Sequence, residues 1–457
     1  MRRGFLKNAN TPKTKNSEVP TIQDSLAGLK IAGGIEIHGQ PLDLGDRIRS
    51  DQAPIVCTLP PNAKPDEPVS VCLIWPETTE LLQNTQGFPQ PLRPQPNEAT
   101  YRVGESPGKG MGLFAARDLK QGDFILSERA LLLTTLSLPL PHSRFAEGAS
   151  QSDGRVVVPA TFNSLDDFER HMKTLVDQMR PVNREAFMSL TVARPHTTDG
   201  SGPIHGRIRT NGCSISNLRP GPPGQWKGSD GQYGAILEKI SRLNHSCSPN
   251  TQSHFDKASL SHSLFAVRDI AVGEELTNNY TPLLDSALQR EWSLKSYGIV
   301  CRCEACLDPR TSDPRRRRLN NLAPNPAQWI LDPRLPDDLI VKQCLEQILL
   351  IEKEKLHASR TLYMALSILL IAHVCLGDAK QASFCAARLQ RVTWVPYVEK
   401  VKLGELLDPA SPAYAKRRLW RTRIDRAKAA RLFDSHECVV RAFSEFIDPL
   451  AFPLVEA

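Results

Sequence analysis

The feature that most constrains this chain is a heptapeptide, Asn244-His245-Ser246-Cys247-Ser248-Pro249-Asn250, set directly after the apolar turn of LEKISRL. It packs an amide, an imidazole, a thiol and a second amide against the end of a core segment. Buried polar groups cost free energy unless they are hydrogen-bonded. These groups must therefore either close a tight turn on themselves or bind a ligand. The flanks read as strands. Downstream, SLFAVRDIAVGEELTNNY has a strand, turn and strand pattern with Gly273 in the turn and Phe265 as a core strand residue. Upstream, GKGMGLFAARDLKQGDFILSERALLLTT predicts short strands at Leu113 to Ala115 and Phe124 to Leu126, separated by the turn KQGD.

Three other features carry chemistry. In GKGMG, Gly108 to Gly112, three glycines mark a backbone that turns tightly and approaches something closely. The segment lacks the Lys-Ser or Lys-Thr of a phosphate-binding loop and the spacing of a dinucleotide site, so taken alone it is a glycine-rich hairpin. Cys301, Cys303 and Cys306 form C-x-C-x-x-C, a spacing suited to thiolate ligands, with a fourth ligand to come from elsewhere. The remaining cysteines, Cys57, Cys72, Cys213, Cys344, Cys375, Cys385 and Cys438, lack ligand spacing and read as buried apolar residues. Tyr280, closing GEELTNNY, and Tyr297, in LKSYGIVC, are by residue type alone half-buried packing groups.

A chain of 457 residues has room for two or three domains. Residues 1–95 are rich in Pro, Asn, Gln and Thr and predict a mostly disordered extension, although PIVCTLP and VSVCLIW could form strands. Residues 139–162 read as a loop. LDDFERHMKTLVDQM through NREAFMSL then has helical spacing, with Asp166 placed to cap. SNLRPGPPGQWKGSDGQYG is loop-like, and long helical runs over 342–392 and 414–447 predict a separate α-helical domain. In that region LYMALSILLIAHVCLG is too short to span a bilayer and reads as a buried helix, and LGDAKQASFCAARL is weakly similar to one helix of a tetratricopeptide pair. The opening MRRGFLKNAN is followed by polar residues, so the expectation is an intracellular protein, nuclear or cytoplasmic, with thiols rather than disulfides among its 11 cysteines. The formal charge is +7, and the run Arg315 to Arg318 reads as a solvated linker. Direct nucleic-acid binding would need aromatic interleaving that the run lacks.

GKGMG, RLNHSCSPN, GEELTNNY and CRCEAC, in that order, resemble the SET-domain family of protein lysine methyltransferases over Arg102 to Leu133 and Thr210 to Leu307. The resemblance implies an α+β fold. It consists of a β-rich SET domain over 96–300 split by a helical insertion at about 134–209, a zinc-bound post-SET tail and basic linker over 301–318, and an α-helical domain over 319–457. It implies that S-adenosylmethionine lies against Lys109, Gly110, Met111 and Gly112. Asn244 and His245 would hold its adenine and amino-acid parts, with Asn211 and Tyr297 beside the same pocket. Tyr280 takes the place of the family's catalytic tyrosine and Tyr297 that of its second pocket tyrosine, and Cys247 would join Cys301, Cys303 and Cys306 around structural zinc. The implied activity is methylation of lysine on a protein substrate, histone or otherwise, with the helical C-terminal domain a candidate site for partner proteins; the lack of any stretch of roughly 18 apolar residues predicts no membrane association. Within the family the chain is most similar to the SET and MYND group and its fungal relatives, yet no cysteine lies between Leu133 and Thr210, so the MYND zinc module is missing. A catalytically silent SET scaffold acting through the C-terminal helices is the alternative.

Overall fold

The computed structural model describes residues 54–135, 165–193, 202–216, 218–221, 231–392, 419–433 and 435–447. Residues 1–53 of the expected extension, the expected loop at 139–162, the stretch 222–230 and the start of the second helical run at 414–418 lie outside the described residues.

From residue 54 onward the expected, mostly disordered extension is folded, and PIVCTLP and VSVCLIW form the strands they could form. Strands β1 (Ile55–Leu59) and β2 (Ser70–Ile74) pair antiparallel, with Cys57 opposite Cys72. Every residue of β2 is buried, because one face looks into the central β core and the other supports the inserted helices. Helix α1 (Pro76–Gln83) follows, with proline in its first turn, where a missing N–H is harmless. Strands β3 (Tyr101–Ser106) and β4 (Gly110–Ala115) make a hairpin through the glycine cluster, and β5 (Phe124–Glu128) and β6 (Leu132–Thr135) complete the first β segment.

Among the described residues between β6 and the next strand lie helices α2 (Leu165–Asp177), α3 (Pro181–Met188) and α4 (Pro203–Asn211). Asp166 is not the cap: it is the second residue of α2, where its charge meets the positive end of the helix dipole. Strands then resume with β7 (Gly212–Ile215), β8 (Tyr233–Ile236), β9 (Asn244–His245), β10 (Thr251–Asp256), β11 (Ser261–Ala266) and β12 (Glu275–Asn278). They assemble into sheets of order β1-β2-β6-β8-β7, β10-β11-β5 and β3-β4-β12-β9.

Among the described residues after β12 the regular elements are α-helices and one short 3-10 turn: α5 (Ala287–Leu294), α6 (Glu304–Leu307), α7 (Pro309–Asn321), α8 (Pro326–Leu331), α9 (Leu339–Glu354), α10 (Arg360–Leu376), α11 (Ala379–Gln390), α12 (Arg426–Leu432) and α13 (His436–Ile447). A second apolar core runs from Leu319 to Ala442 around Trp329, with α10 packed between α9 and α11. LYMALSILLIAHVCLG is thus a buried helix, ended by Gly377 at φ +75. Among the described residues no helix is long and apolar enough to cross a membrane. Of the arginine run, Arg317 and Arg318 are exposed and Arg316 is not. The run lies within α7, and the Arg316 side chain is fully buried because Glu354 and a ring of carbonyls and hydroxyls receive it.

Candidate functional site

Strand pairing assembles the motifs. β12 lies between β4 and β9, pairing antiparallel with β4 (Leu276 opposite Leu113) and parallel with β9 (Thr277 opposite Asn244, Asn278 opposite His245). The glycine hairpin, the Asn-His pair and the GEELTNNY strand therefore share one sheet although 166 residues of chain separate Lys109 from Glu275.

Glu275 joins the three. Its carboxylate accepts from Lys109 Nζ at 2.8 Å and from Asn244 Nδ2 at 2.8 Å, while Asn244 Nδ2 also reaches the Met111 carbonyl at 3.3 Å. Burial raises the Glu275 pKa, but the bonds from Lys109 and Asn244 outweigh it and hold the group below the usual carboxylate range. Glu275 was not singled out from the sequence, because its partners lie 166 and 31 residues away. A Cβ on Gly112 would sit 2.9 Å from Glu275 Oε1 and 3.0 Å from Asn244 Nδ2, whereas one on Gly110, at φ +79, meets open space. Gly112→Ala is therefore expected to cost about 1–3 kcal/mol in overpacking, read as a lower thermal midpoint together with weaker binding of any ligand held by this hairpin. Unchanged values for both would show that the Asn244–Glu275 contact moves aside freely.

The heptapeptide divides its polar groups between the two fates. Asn250, 1% exposed, is spent on structure: its amide donates to Glu274 Oε1 at 3.0 Å and to the Glu275 carbonyl at 2.8 Å, and its oxygen accepts from Thr277 N at 2.8 Å. His245 is different. Its Nδ1 accepts the Tyr280 backbone N–H at 3.0 Å, which leaves Nε2 to carry the proton toward Cys247 Sγ at 3.2 Å. Burial, with Arg290 and Lys109 adding to it against Cys303, pushes its pKa down to about 4, so the ring is neutral near pH 7.

Tyr280 stacks on His245 with ring centroids 5.4 Å apart and on Tyr297 at 5.1 Å. Its hydroxyl donates to the Leu243 carbonyl at 2.6 Å. Burial raises both tyrosines above the usual phenol value, so both are neutral hydrogen-bond donors rather than bases. Cys213 lies close enough to both for its charge to act on them, and burial followed by Glu128 pushes its own pKa up to about 12. Asn211 is placed differently from the other expected residues. Its amide donates to the Thr191 and Arg207 carbonyls at 2.8 and 2.9 Å, closing the end of α4, while its backbone oxygen accepts from Ser241 Oγ.

The loop that presents Leu243 is held from below by Glu128, which accepts from Lys239 N at 3.0 Å and Ile240 N at 2.6 Å. Burial raises its pKa to about 7 from 4.5, despite the opposing bonds from the Ile240 and Lys239 N–H groups. A folded-state value above the unfolded one means stability present in full below pH 4.5 and lost as pH climbs through about 7. Glu128→Gln removes that titration, so its thermal midpoint should fall less than that of the wild type between about pH 5 and 8. Parallel curves would contradict the burial.

The four sulfurs of Cys247, Cys301, Cys303 and Cys306 lie within 4.8 Å of one another. Cys247 Sγ is 3.8 Å from Cys301 Sγ and 3.5 Å from Cys306 Sγ, close to the roughly 3.8 Å edge of a tetrahedron with zinc–sulfur bonds of about 2.3 Å. Hydrogen bonds from Cys247 hold Cys303 well below the ordinary thiol range and Cys306 at about 6. Thiolates gathered this closely call for a cation, and the donor set fits a closed, structural zinc site. Arg290, fully buried, adds positive charge from one side, its Nη2 lying 3.6 Å from Cys306 Sγ. Neither Arg290 nor Arg316 was foreseen from sequence, since arginine is exposed by default.

The SET domain family model matches residues 110–281. The histone-lysine N-methyltransferase set5 of Schizosaccharomyces pombe is 28% identical over 225 residues, 48% of this chain and 56% of that protein. The histone-lysine N-methyltransferase SET5 of Meyerozyma guilliermondii is 40% identical over 85 residues, 18% of each chain. The human histone-lysine N-methyltransferase SMYD3 is 43% identical over 72 residues, 16% of each chain. The chain thus spans about half the length of the first of these relatives and under a fifth of the other two. With the motifs brought onto one sheet, the cysteine cluster closed beside it and the family match running from the glycine hairpin to the residue after Tyr280, residues 110–281 carry a SET domain.

Proposed function

We propose that the protein transfers methyl groups from S-adenosylmethionine to lysine side chains of a protein substrate, histone or non-histone, in the nucleus or cytoplasm. The observation that carries this reading is the neutral tyrosine pair, Tyr280 and Tyr297, packed against His245 at the end of the sheet that holds the glycine hairpin. S-adenosylmethionine would supply an electrophilic methyl. The Lys109 to Gly112 backbone, Asn244 and His245 would hold it, and Asn211 would act on the pocket only through the end of α4.

Lysine in water has a pKa near 10.4 and must reach the pocket as the free amine. A buried, apolar aromatic setting disfavours the ammonium form. The neutral Tyr280 hydroxyl and the Leu243 carbonyl can orient the amine without taking its proton into a phenolate. Alignment at contact distance then contributes the proximity effect. We place the start of the SET unit at residue 54, its helical insertion between β6 and β7, and the helical C-terminal unit from Leu319.

The test is transfer of labelled methyl from S-adenosylmethionine to histones and to whole-cell protein, with the label located on lysine by mass spectrometry. No transfer and no heat of S-adenosylmethionine binding would replace this reading by that of a silent scaffold acting through the C-terminal helices.

A further inference from the structure

Every nitrogen of the fully buried Arg316 guanidinium is engaged. Nη1 donates to the Cys247 carbonyl at 3.1 Å and to the Leu283 carbonyl, Nη2 to Ser248 Oγ at 3.3 Å, and Nε to Ser312 Oγ at 3.1 Å and Glu354 Oε2 at 3.2 Å. Glu354, 6% exposed and the last residue of α9, completes the network: its carboxylate accepts from Ser312 Oγ and its backbone carbonyl accepts from Ser248 Oγ at 2.8 Å.

These partners come from distant parts of the chain. Cys247 and Ser248 directly follow the His245 strand, Leu283 follows Tyr280 by three residues, and Glu354 belongs to the C-terminal helices. Leu283 and Leu284 also pack against the C-terminal apolar core. Within the fork of one guanidinium, the two segments that bring His245 and Tyr280 together are fixed to each other and to α9.

We propose that Arg316 is a positioning residue, through which the C-terminal helices set the geometry of the His245–Tyr280 pair and of the cysteine cluster. Net stability does not account for such a group, because a buried ion pair replaced by apolar residues is often neutral or better. What a planar, five-donor fork provides is direction: it fixes several acceptors at once, which a lysine cannot. A buried guanidinium bonded to the Cys247 carbonyl, with Arg290 beside Cys306, also suits a divalent ion held by four thiolates, a set carrying two net negative charges.

The kinetic arm of the test rests on the methyl-transfer reading, and the metal arm does not. Full-length Arg316→Met, Arg316→Lys, Glu354→Gln and the Arg316→Met/Glu354→Gln double variant are compared with Arg318→Ala, whose exposed side chain pairs with Glu346 at 2.7 Å. Zinc loss to a chromogenic chelator, S-adenosylmethionine binding by calorimetry, and kcat and KM are measured. Arg316→Met is expected to lose zinc at least about tenfold faster and to lower kcat at least about tenfold, with cofactor affinity within about threefold of wild type. The double variant should be no worse than the worse single one, since the two groups act as a unit. Arg318→Ala should behave as wild type. Should Arg316→Met fail to fold, Arg316→Lys and Glu354→Gln, which keep a polar group in place, carry the same readouts. Zinc loss at the wild-type rate, or activity lost only in step with the folded fraction seen by circular dichroism, overturns the proposal. If the wild type methylates nothing, faster zinc loss in the variants still supports Arg316, and the failure belongs to the proposed activity.

Discussion

Tyr280→Phe is expected to lower kcat by about 100-fold while S-adenosylmethionine binds within about threefold of its wild-type affinity. The ring itself is structural, stacked between His245 and Tyr297, and phenylalanine keeps that packing. The substitution removes only the O–H that donates to the Leu243 carbonyl at 2.6 Å. A lost hydrogen bond of this kind costs about 1 kcal/mol of stability, too little to unfold the protein. Its larger consequence lies in alignment, because the Leu243 carbonyl loses the donor that fixes it and the incoming amine loses a neutral partner. Single-turnover methylation, with calorimetry of the cofactor and circular dichroism, separates these effects. A kcat within about threefold of wild type would remove the hydroxyl from the mechanism, and a parallel rise in cofactor Kd would make it a binding contact instead.

Metal removal is expected to have the largest effect on stability. Structural zinc in a site of this type is worth on the order of 10 kcal/mol, and here its ligands link Cys247, beside His245, to the 301–306 segment that follows Tyr297. The purified protein should contain about one zinc per chain. Stripping it should expose four more reactive thiols, those of Cys247, Cys301, Cys303 and Cys306. Methyl transfer should fall to background as the tail detaches from Tyr297. Cys303→Ser should retain less than about a tenth of the metal, with a lower first thermal transition. A metal-free protein of wild-type stability, with all four thiols already reactive, would refute the site.

What could be read from the sequence was mostly local. Cys301, Cys303 and Cys306 show their spacing within six residues, the KQGD and Gly273 turns mark where β4 gives way to β5 and β11 to β12, and the long apolar run of α10 has one sensible fate. The misses have a common physical origin in distance along the chain. β2 pairs parallel with β6, with Val71 opposite Leu132, and no composition around Ser70 announces a partner that far away. Glu128 and Ile240 meet across 112 residues, and Lys109 and Glu275 across 166. Arg316 sits in a run of like charges whose default is solvent, and only its acceptors, scattered from Cys247 to Glu354, reverse that default. Asn211 lies near the Ser241 loop, yet its amide is spent on the Arg207 carbonyl of its own helix and on the Thr191 carbonyl, which the segment IRTNGCSI does not reveal.

The pairing of β12 with β9 on one side and with β4 on the other has a temporal consequence. On the ribosome, the glycine hairpin emerges long before its strand neighbours, and the last thiol of the cluster, Cys306, appears almost two hundred residues after Gly110. At about 5–20 residues per second that interval is roughly 10–40 s. During it the β3–β4 hairpin presents an edge with no strand to receive it. Assembly of the centre is therefore a late event, set by arrival of the C-terminal half, and the nascent N-terminal half is the part most in need of a chaperone.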